Sequence, residues 1–345
     1  MSNWIDLLKG DAREWLQEGE NPSVRYFTLL DILERKTTDP LVTAAKSRIM
    51  HSGVVPKILS GQNPGGYWER AEDFYIRTKY RGTVWQLIIL AEMGADGRDP
   101  RLQHACEFIL DWSQDRQSGG FAYRGSRAGG GNHSGVLPCL TGNMVWSLIR
   151  LGREKDSRVQ HGIRWLTEFL RFDDGETRPP SEWPYHRWEQ CWGRHTCIPG
   201  VVKALKAAAE IHFARRTPAV KKLISRGAEF MLRHHLFKRS HDLGRAAKPK
   251  WTRFGFPTMW DIDALEAADI LLRLGIRDDR MQETMDLILS KQDDQGRWSL
   301  ENTFNGRFRI NIDRKGRPSK WVTLIALRVL KAFFGGMSGQ KEPSS

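Results

Sequence analysis

Cysteine is scarce in this chain, with four residues in 345. So few thiols build no disulfide framework, and a reducing, cytoplasmic setting is the expectation. Long apolar runs are missing too. The N-terminal MSNWIDLLKGDAREW has no apolar signal core, and no run approaches the length that spans a bilayer. No segment alternates apolar and polar residues far enough to make a long strand. Acidic residues are outnumbered by basic ones, 41 to 54, which leaves a net charge of +13. The basic residues are spread along the chain and carry no nucleic-acid motif. An anionic small molecule is therefore the expected partner and DNA is not, with peripheral contact to an acidic membrane also compatible. What the chain does have is 40% hydrophobic residues, enough for a large core, and 14 tryptophans that recur at helix starts and after glycine pairs.

An internal repeat organises these residues. Apolar segments at 22–34, 80–94, 139–152, 197–211, 259–275 and 320–333 recur roughly every 60 residues. Most are apolar around much of their circumference, which predicts helices buried on several sides. Between them lie amphipathic segments at 39–50, 99–112, 156–170, 217–232 and 278–291. Each opens on an Asp or Thr that can serve as N-cap, in three cases followed by Pro. The loops after the outer segments carry a Gln…Gly-aromatic signal: Gln62 to Trp68, Gln114 to Phe121, and Gln292 to Trp298. Its glycines permit tight turns, and its Gln amides can satisfy free groups at helix ends. With residues 4–17 as a sixth outer helix, six inner and six outer helices close a ring. The predicted fold is all-α, a single α/α toroid over residues 1–335 followed by a disordered tail over 336–345. An extended helical solenoid is the alternative, but an open stack would need polar capping repeats, and none is seen.

These Gln…Gly-x-Trp loops, the repeat length and the all-helical ring resemble the terpenoid cyclase and protein prenyltransferase superfamily. The resemblance runs from about Trp4 to about Phe334. It implies one toroid, as in prenyltransferase β-subunits, where triterpene cyclases have two. Prenyltransferases also use a second, helical-repeat subunit, and the sequence leaves open whether this chain has one.

In such a barrel every inner helix points the same way, so all inner N-termini surround one mouth and present positive dipole ends to it. The expected site is there. Cys191, His195 and Cys197 lie within seven residues ahead of one inner helix, and Cys139 opens the preceding one. Two or three thiolates with an imidazole suit zinc; the competing role is that of small buried helix-start residues. Arg77, Lys79, Tyr80, Arg81, Lys320 and Trp321 would ring the mouth as a binding set for a diphosphate. Asp261-Ile-Asp263-Ala264 resembles a truncated Asp-x-Asp-Asp acid motif of class II terpene cyclases, with Ala264 in place of the last Asp. The resemblance makes Asp261 and Asp263 candidate acids; the alternative is helix capping. Neither Asp-x-Cys, the zinc motif of protein prenyltransferases, nor Asp-Asp-x-x-Asp occurs. The leading expectation is a prenyltransferase- or cyclase-like enzyme, zinc-dependent in its transferase form, acting on an isoprenoid diphosphate or similar anionic lipid. The alternatives are a non-catalytic binding or scaffold toroid, and a thiol- or peptide-modifying zinc enzyme of lanthionine cyclase type, which pieces such as His195 to Gly200 loosely resemble.

Overall fold

A computed structural model describes residues 4–335; the tail expected over 336–345 lies outside the described residues. The inner helices are Pro22–Phe27, continued by a π-turn over Thr28–Ile32, then Thr83–Glu92, Pro138–Arg150, Ile198–Glu210, Ala264–Arg273 and Lys320–Phe334. The outer helices are Pro40–Ile49, Pro100–Trp112, Ser157–Phe169, Pro218–Arg233 and Gln282–Ser290. Consecutive inner helices pack side by side from the second to the sixth, and the sixth packs back on the first. The architecture is an all-α toroid. One small antiparallel hairpin, Lys238–Arg239 with Asp242–Ala246, interrupts the loop before the fifth inner helix.

Local chemistry sets each outer helix. The side chains of Asp39, Asp99, Asp156 and Thr217 accept from backbone amides of the first turn and act as the expected caps. Asp278 does the same for the 3₁₀ turn that leads into the last outer helix. Asp99 and Asp156 also pair with the arginine two residues on, which fixes the first turn twice over.

The Gln…Gly-aromatic loops join repeats. Gln62 Nε2 donates to Arg101 O at 2.9 Å, and Gln114 Nε2 to Arg158 O at 2.7 Å. In each case the acceptor sits in the first turn of the next outer helix. Trp68, Phe121 and Trp298 donate their backbone N–H to Thr83, Thr141 and Thr323 at the inner-helix starts, at 3.2, 2.9 and 2.9 Å. Trp68 and Trp298 add an indole bond to Ile58 O and Ile288 O. The glycine before each aromatic is pressed against the next repeat. Gly66 meets the His104 carbonyl and Gly296 meets Gly10, each with φ positive. Both conditions admit glycine and disfavour any side chain.

Ring closure departs from expectation in one respect. Residues 4–17 form two short turns, Trp4–Leu7 and Arg13–Leu16, and no full outer helix. Gly10 breaks the segment because the Gln295 backbone lies 2.6 Å from where its Cβ would stand. The seam is still made as in the other repeats. Gln292 Nε2 donates to Leu7 O at 3.1 Å, and Lys9 N donates to Gln292 Oε1 at 3.0 Å. The third and fourth inner helices approach most closely, because Gly142 lets the Lys203 and Ala204 backbone come within 3 Å of its Cβ position. Among the described residues, no helix is long and apolar enough to cross a membrane.

Candidate functional site

The large cavity of the toroid opens at the C-terminal ends of the inner helices, opposite the expected mouth. It measures about 930 Å³. Asp31, Glu34, Glu92, Arg150, Arg273 and Lys331, at or beyond the last turns of five inner helices, form its rim. Trp146, Phe256 and Trp321 form its inner wall, with the Phe256 and Trp321 rings stacked at 4.2 Å. The expected N-terminal mouth is covered by the loops ahead of the fifth and sixth inner helices. There Tyr80 stacks on Phe304 at 4.2 Å, and its hydroxyl accepts from Trp260 Nε1 at 3.0 Å.

Charged side chains pair between inner helices on the lumen side, mostly between neighbours. Lys203 is fully buried, and its ammonium lies 2.7 Å from both oxygens of Glu266. Lys206 bridges Glu266 at 3.0 Å and Glu92 at 2.5 Å, and stands 4.2 Å over the Trp146 ring. Arg328 joins Asp269 and Asp31, and Arg273 takes Glu210. Burial alone would raise the Glu266 carboxyl, but Lys203 and Lys206 outweigh it and hold the group at about 2. None of these residues stood among the expected site residues. Their signal is nonetheless written in the chain: Lys203, Lys206 and Glu210 repeat the spacing of Glu266, Asp269 and Arg273. Steps of three and four residues keep all of them on one helical face, here the one turned to the axis.

Asp263 stands at the inner end of this lumen. It lines a recess of about 50 Å³ with Phe256, Thr258, Glu266 and Arg328, of which Phe256 and Arg328 also line the main cavity. Such a recess has room for a water. Asp263 is the N-cap of the fifth inner helix: Oδ1 accepts from Glu266 N and Oδ2 from Gly255 N, both at 2.8 Å. Burial pushes its carboxyl up to about 7, with the Glu266 charge adding to the effect against the two amide bonds and Lys203. The other candidate acid, Asp261, lies outside the helix and is turned to the mouth side. It is paired with Lys250 and accepts from Trp251 Nε1 at 3.1 Å.

The expected diphosphate ring does not assemble as one set. Arg77 is exposed beside Asp73, and Arg81 is paired with Glu69 at 3.1 Å. Lys320 is buried and tied to Glu18 and Glu20 at 2.6 and 2.7 Å, so it anchors the N-terminal segment. Trp321 faces the lumen instead. Tyr80 is buried under the mouth cover, where Lys79 lies 5.5 Å from its ring centroid and 4.8 Å from that of Trp260.

The thiols do gather. Cys197 caps the fourth inner helix, Cys191 lies in the one-turn helix Glu189–Trp192, and Cys139 opens the third inner helix. The Cys191 thiol is hydrogen-bonded to Cys197, which raises Cys191 and lowers Cys197; the Gly200 amide adds to the lowering against burial. Cys139 is buried, and this pushes it up to about 12. His195 is paired with Asp174. Its Nδ1 lies 3.1 Å from Asp174 Oδ1, and its side chain is 62% exposed. Among the described residues no group of three or more His, Cys, Asp and Glu side chains is disposed to hold a metal ion. The expected zinc set of Cys139, Cys191, His195 and Cys197 is divided, with the thiols at the helix starts and His195 paired with Asp174.

No protein-family model and no curated protein matches the sequence. Solved structures do show likeness. One is a protein from Actinoplanes, 13% identical, covering 95% of this chain and 97% of its own, with a TM-score of 0.43. An unsaturated glucuronyl hydrolase specific for heparin is 12% identical, covering 94% and 86%, with a TM-score of 0.48. A variant of the type II terpene cyclase MstE from Scytonema, in complex with geranylgeranyl dihydroxybenzoate, is 15% identical, covering 91% and 86%, with a TM-score of 0.39. These are likenesses of overall helical arrangement and say nothing of the chemistry of this chain.

Proposed function

We propose that the protein is an enzyme that protonates an unsaturated, lipid-like substrate in the lumen, with Asp263 as the acid. The observation that carries this reading is a fully buried carboxyl, held up to about 7, on the wall of a recess that continues the cavity. A carboxylic acid kept neutral near physiological pH can give up its proton to a weak base such as an alkene. The proton leaves Asp263 for one alkene carbon, the π electrons form the new C–H bond, and positive charge develops on the neighbouring carbon. Loss of a proton elsewhere on the substrate restores the acid, so the net reaction is an isomerisation or cyclisation. The faces of Trp146, Phe256 and Trp321 are available to the developing cation. The rim, where Arg150, Arg273 and Lys331 stand beside Asp31, Glu34 and Glu92, suits a polar head group. A zinc-dependent transfer is not carried further, because the thiols stand at the N-terminal ends of the inner helices and the cavity opens at the other ends.

A second reading, a toroid without catalysis, is favoured by the two backbone bonds that Asp263 accepts. Asp263→Asn separates the two. Asn keeps the cap bond to Glu266 N through its one oxygen, gives up the acceptor for Gly255 N, and cannot serve as an acid. The protein should convert linear polyprenyl diphosphates or polyprenyl hydroxybenzoates, with a rate that falls as pH rises through about 7. The variant should stay folded and lose turnover by at least about a hundredfold. Unchanged turnover in Asp263→Asn overturns Asp263 as the acid, and absence of turnover with every such substrate favours the scaffold.

A further inference from the structure

A second cavity lies beside the main one, among the C-terminal turns of the second and third inner helices. It measures about 420 Å³. Lys46 of the first outer helix lines it, with the loop 95–98, Gln103 of the second outer helix, and residues 150–153 at the end of the third inner helix. Arg150 lines both cavities and so stands on the wall between them. Its guanidinium lies 5.4 Å from the centroid of the Phe27 ring, and the Lys46 ammonium 5.1 Å from that of Tyr26. Both rings belong to the lining of the main cavity.

The charge of this side pocket is one-sided. Lys46, Arg98, Arg150 and Arg153 line it against a single carboxylate, Asp96. Asp96 is already taken, since Arg98 donates to it from Nε and Nη2 at 3.0 and 2.8 Å. Arg153 reaches away from the pocket to Glu107 at 2.9 Å. The other two cations have donors to spare. Lys46 donates to Gly94 O at 2.7 Å, and among the described residues it takes no carboxylate. That bond serves a carbonyl just past the second inner helix and uses one of three ammonium protons. Arg150 stands 3.8 Å from Glu210 Oε2, and among the described residues its guanidinium makes no hydrogen bond. Both side chains are half-buried. Burial, followed by the Arg150 charge, holds the Lys46 ammonium below the usual lysine range. Two half-buried cations that face one cavity with unused donors are completed by an anion.

We propose that the side pocket holds the phosphate or diphosphate group of a ligand whose apolar remainder lies in the main cavity, with Lys46 and Arg150 as the inner partners and Arg153 at the edge. A carboxylate brings one negative charge, whereas a phosphate or diphosphate brings the several that this lining calls for. The planar guanidinium groups present paired N–H donors to its oxygens. The volume admits a small group and no strand of nucleic acid. The rim of the main cavity sets its cations beside acids, so the excess of positive charge lies in the side pocket. Arg150, on the dividing wall, meets the ligand where head group and tail join. The phosphate site rests on its own lining; the seating of the tail rests on the lipid-like substrate proposed above.

The test is calorimetric titration of the full chain at fixed ionic strength with two probes, inorganic pyrophosphate and farnesyl diphosphate. The wild type should bind both, farnesyl diphosphate the more tightly. Lys46→Gln and Arg150→Gln should each weaken both by at least about tenfold. Lys331→Gln, on the main rim only, should leave pyrophosphate binding unchanged. Asp263→Asn should bind both probes as the wild type does, so failure of Asp263 as an acid leaves the phosphate site standing. Absence of pyrophosphate binding to the wild-type chain overturns the site, and that measurement needs no variant to fold. Binding that survives both Lys46→Gln and Arg150→Gln, or falls instead with Lys331→Gln, puts the anion elsewhere and overturns the pocket. Equal affinity for the two probes overturns the seating of a tail in the main cavity.

Discussion

At Asp263 the cost of burying a carboxyl is set against two backbone hydrogen bonds, and burial wins: the group rises from 3.8 to about 7. The sign of the consequence follows from linkage. The unfolded chain loses this proton near pH 4 and the folded chain keeps it to about pH 7, so stability declines as pH climbs between them and stays lower above. A gap of about three pH units corresponds to about 4 kcal/mol. Asp263→Asn has no proton to lose. Its stability relative to the wild type should therefore shift in its favour by up to about 4 kcal/mol between pH 4 and pH 8. Urea denaturation at a series of pH values measures this, and parallel stability curves for the two proteins would show that Asp263 is ionised throughout. The residues around it explain what the sequence hid. Asp263 was visible as a cap or an acid from its place before an apolar helix. Lys203 and Glu266 were not, because a charge inside an apolar helix is readable only once its partner, 63 residues away in the chain, is known to face it. The pairing of His195 with Asp174, 21 residues upstream, was hidden for the same kind of reason.

Among the elements, the Gly-aromatic loops were the most legible part of the chain. Their glycines, amides and indoles make local bonds whose geometry a short motif fixes. Gly296 has φ of +68°, and a Cβ there would lie 2.0 Å from the Gly10 carbonyl oxygen. Gly316 has φ of +74° with nothing within 4 Å. Gly316→Ala should therefore cost only the left-handed strain, about 1–2 kcal/mol. Gly296→Ala pays that strain and must also push the N-terminal segment aside, so it should cost at least about 2 kcal/mol more. Denaturation midpoints compare the two, and equal losses would mean that the seam gives way freely. Elements without a motif were less legible. The N-terminal segment was expected as one helix, yet Gly10 and its neighbour across the seam divide it. Which end of the barrel is open was also beyond local reading, since long loops with no repeat of their own decide it.

For the whole molecule, the ring depends on a seam whose bonds join residues more than 280 positions apart. Gln292→Ala removes the side-chain bonds to Leu7 and Lys9 and should cost about 1–3 kcal/mol. It should also expose residues 4–17 to proteolysis before the rest of the chain unfolds, whereas Gln114→Ala, within the body of the ring, should lower stability without that selective cleavage. Simultaneous cleavage throughout the Gln292→Ala chain would show that the seam is not a separate unit. The architecture has a further consequence. In a linear stack of repeats the end units melt first and the loss creeps inward. Here each repeat has two neighbours, and the fifth inner helix is tied to both of its own by ion pairs, to the fourth through Lys203 and Lys206 and to the sixth through Arg328. Such a body has no free end at which to begin to melt. Its fluctuations should take the form of a brief parting at the seam, a breathing of the whole circumference, and amide exchange at the lumen lysines and acids should be among the slowest in the protein.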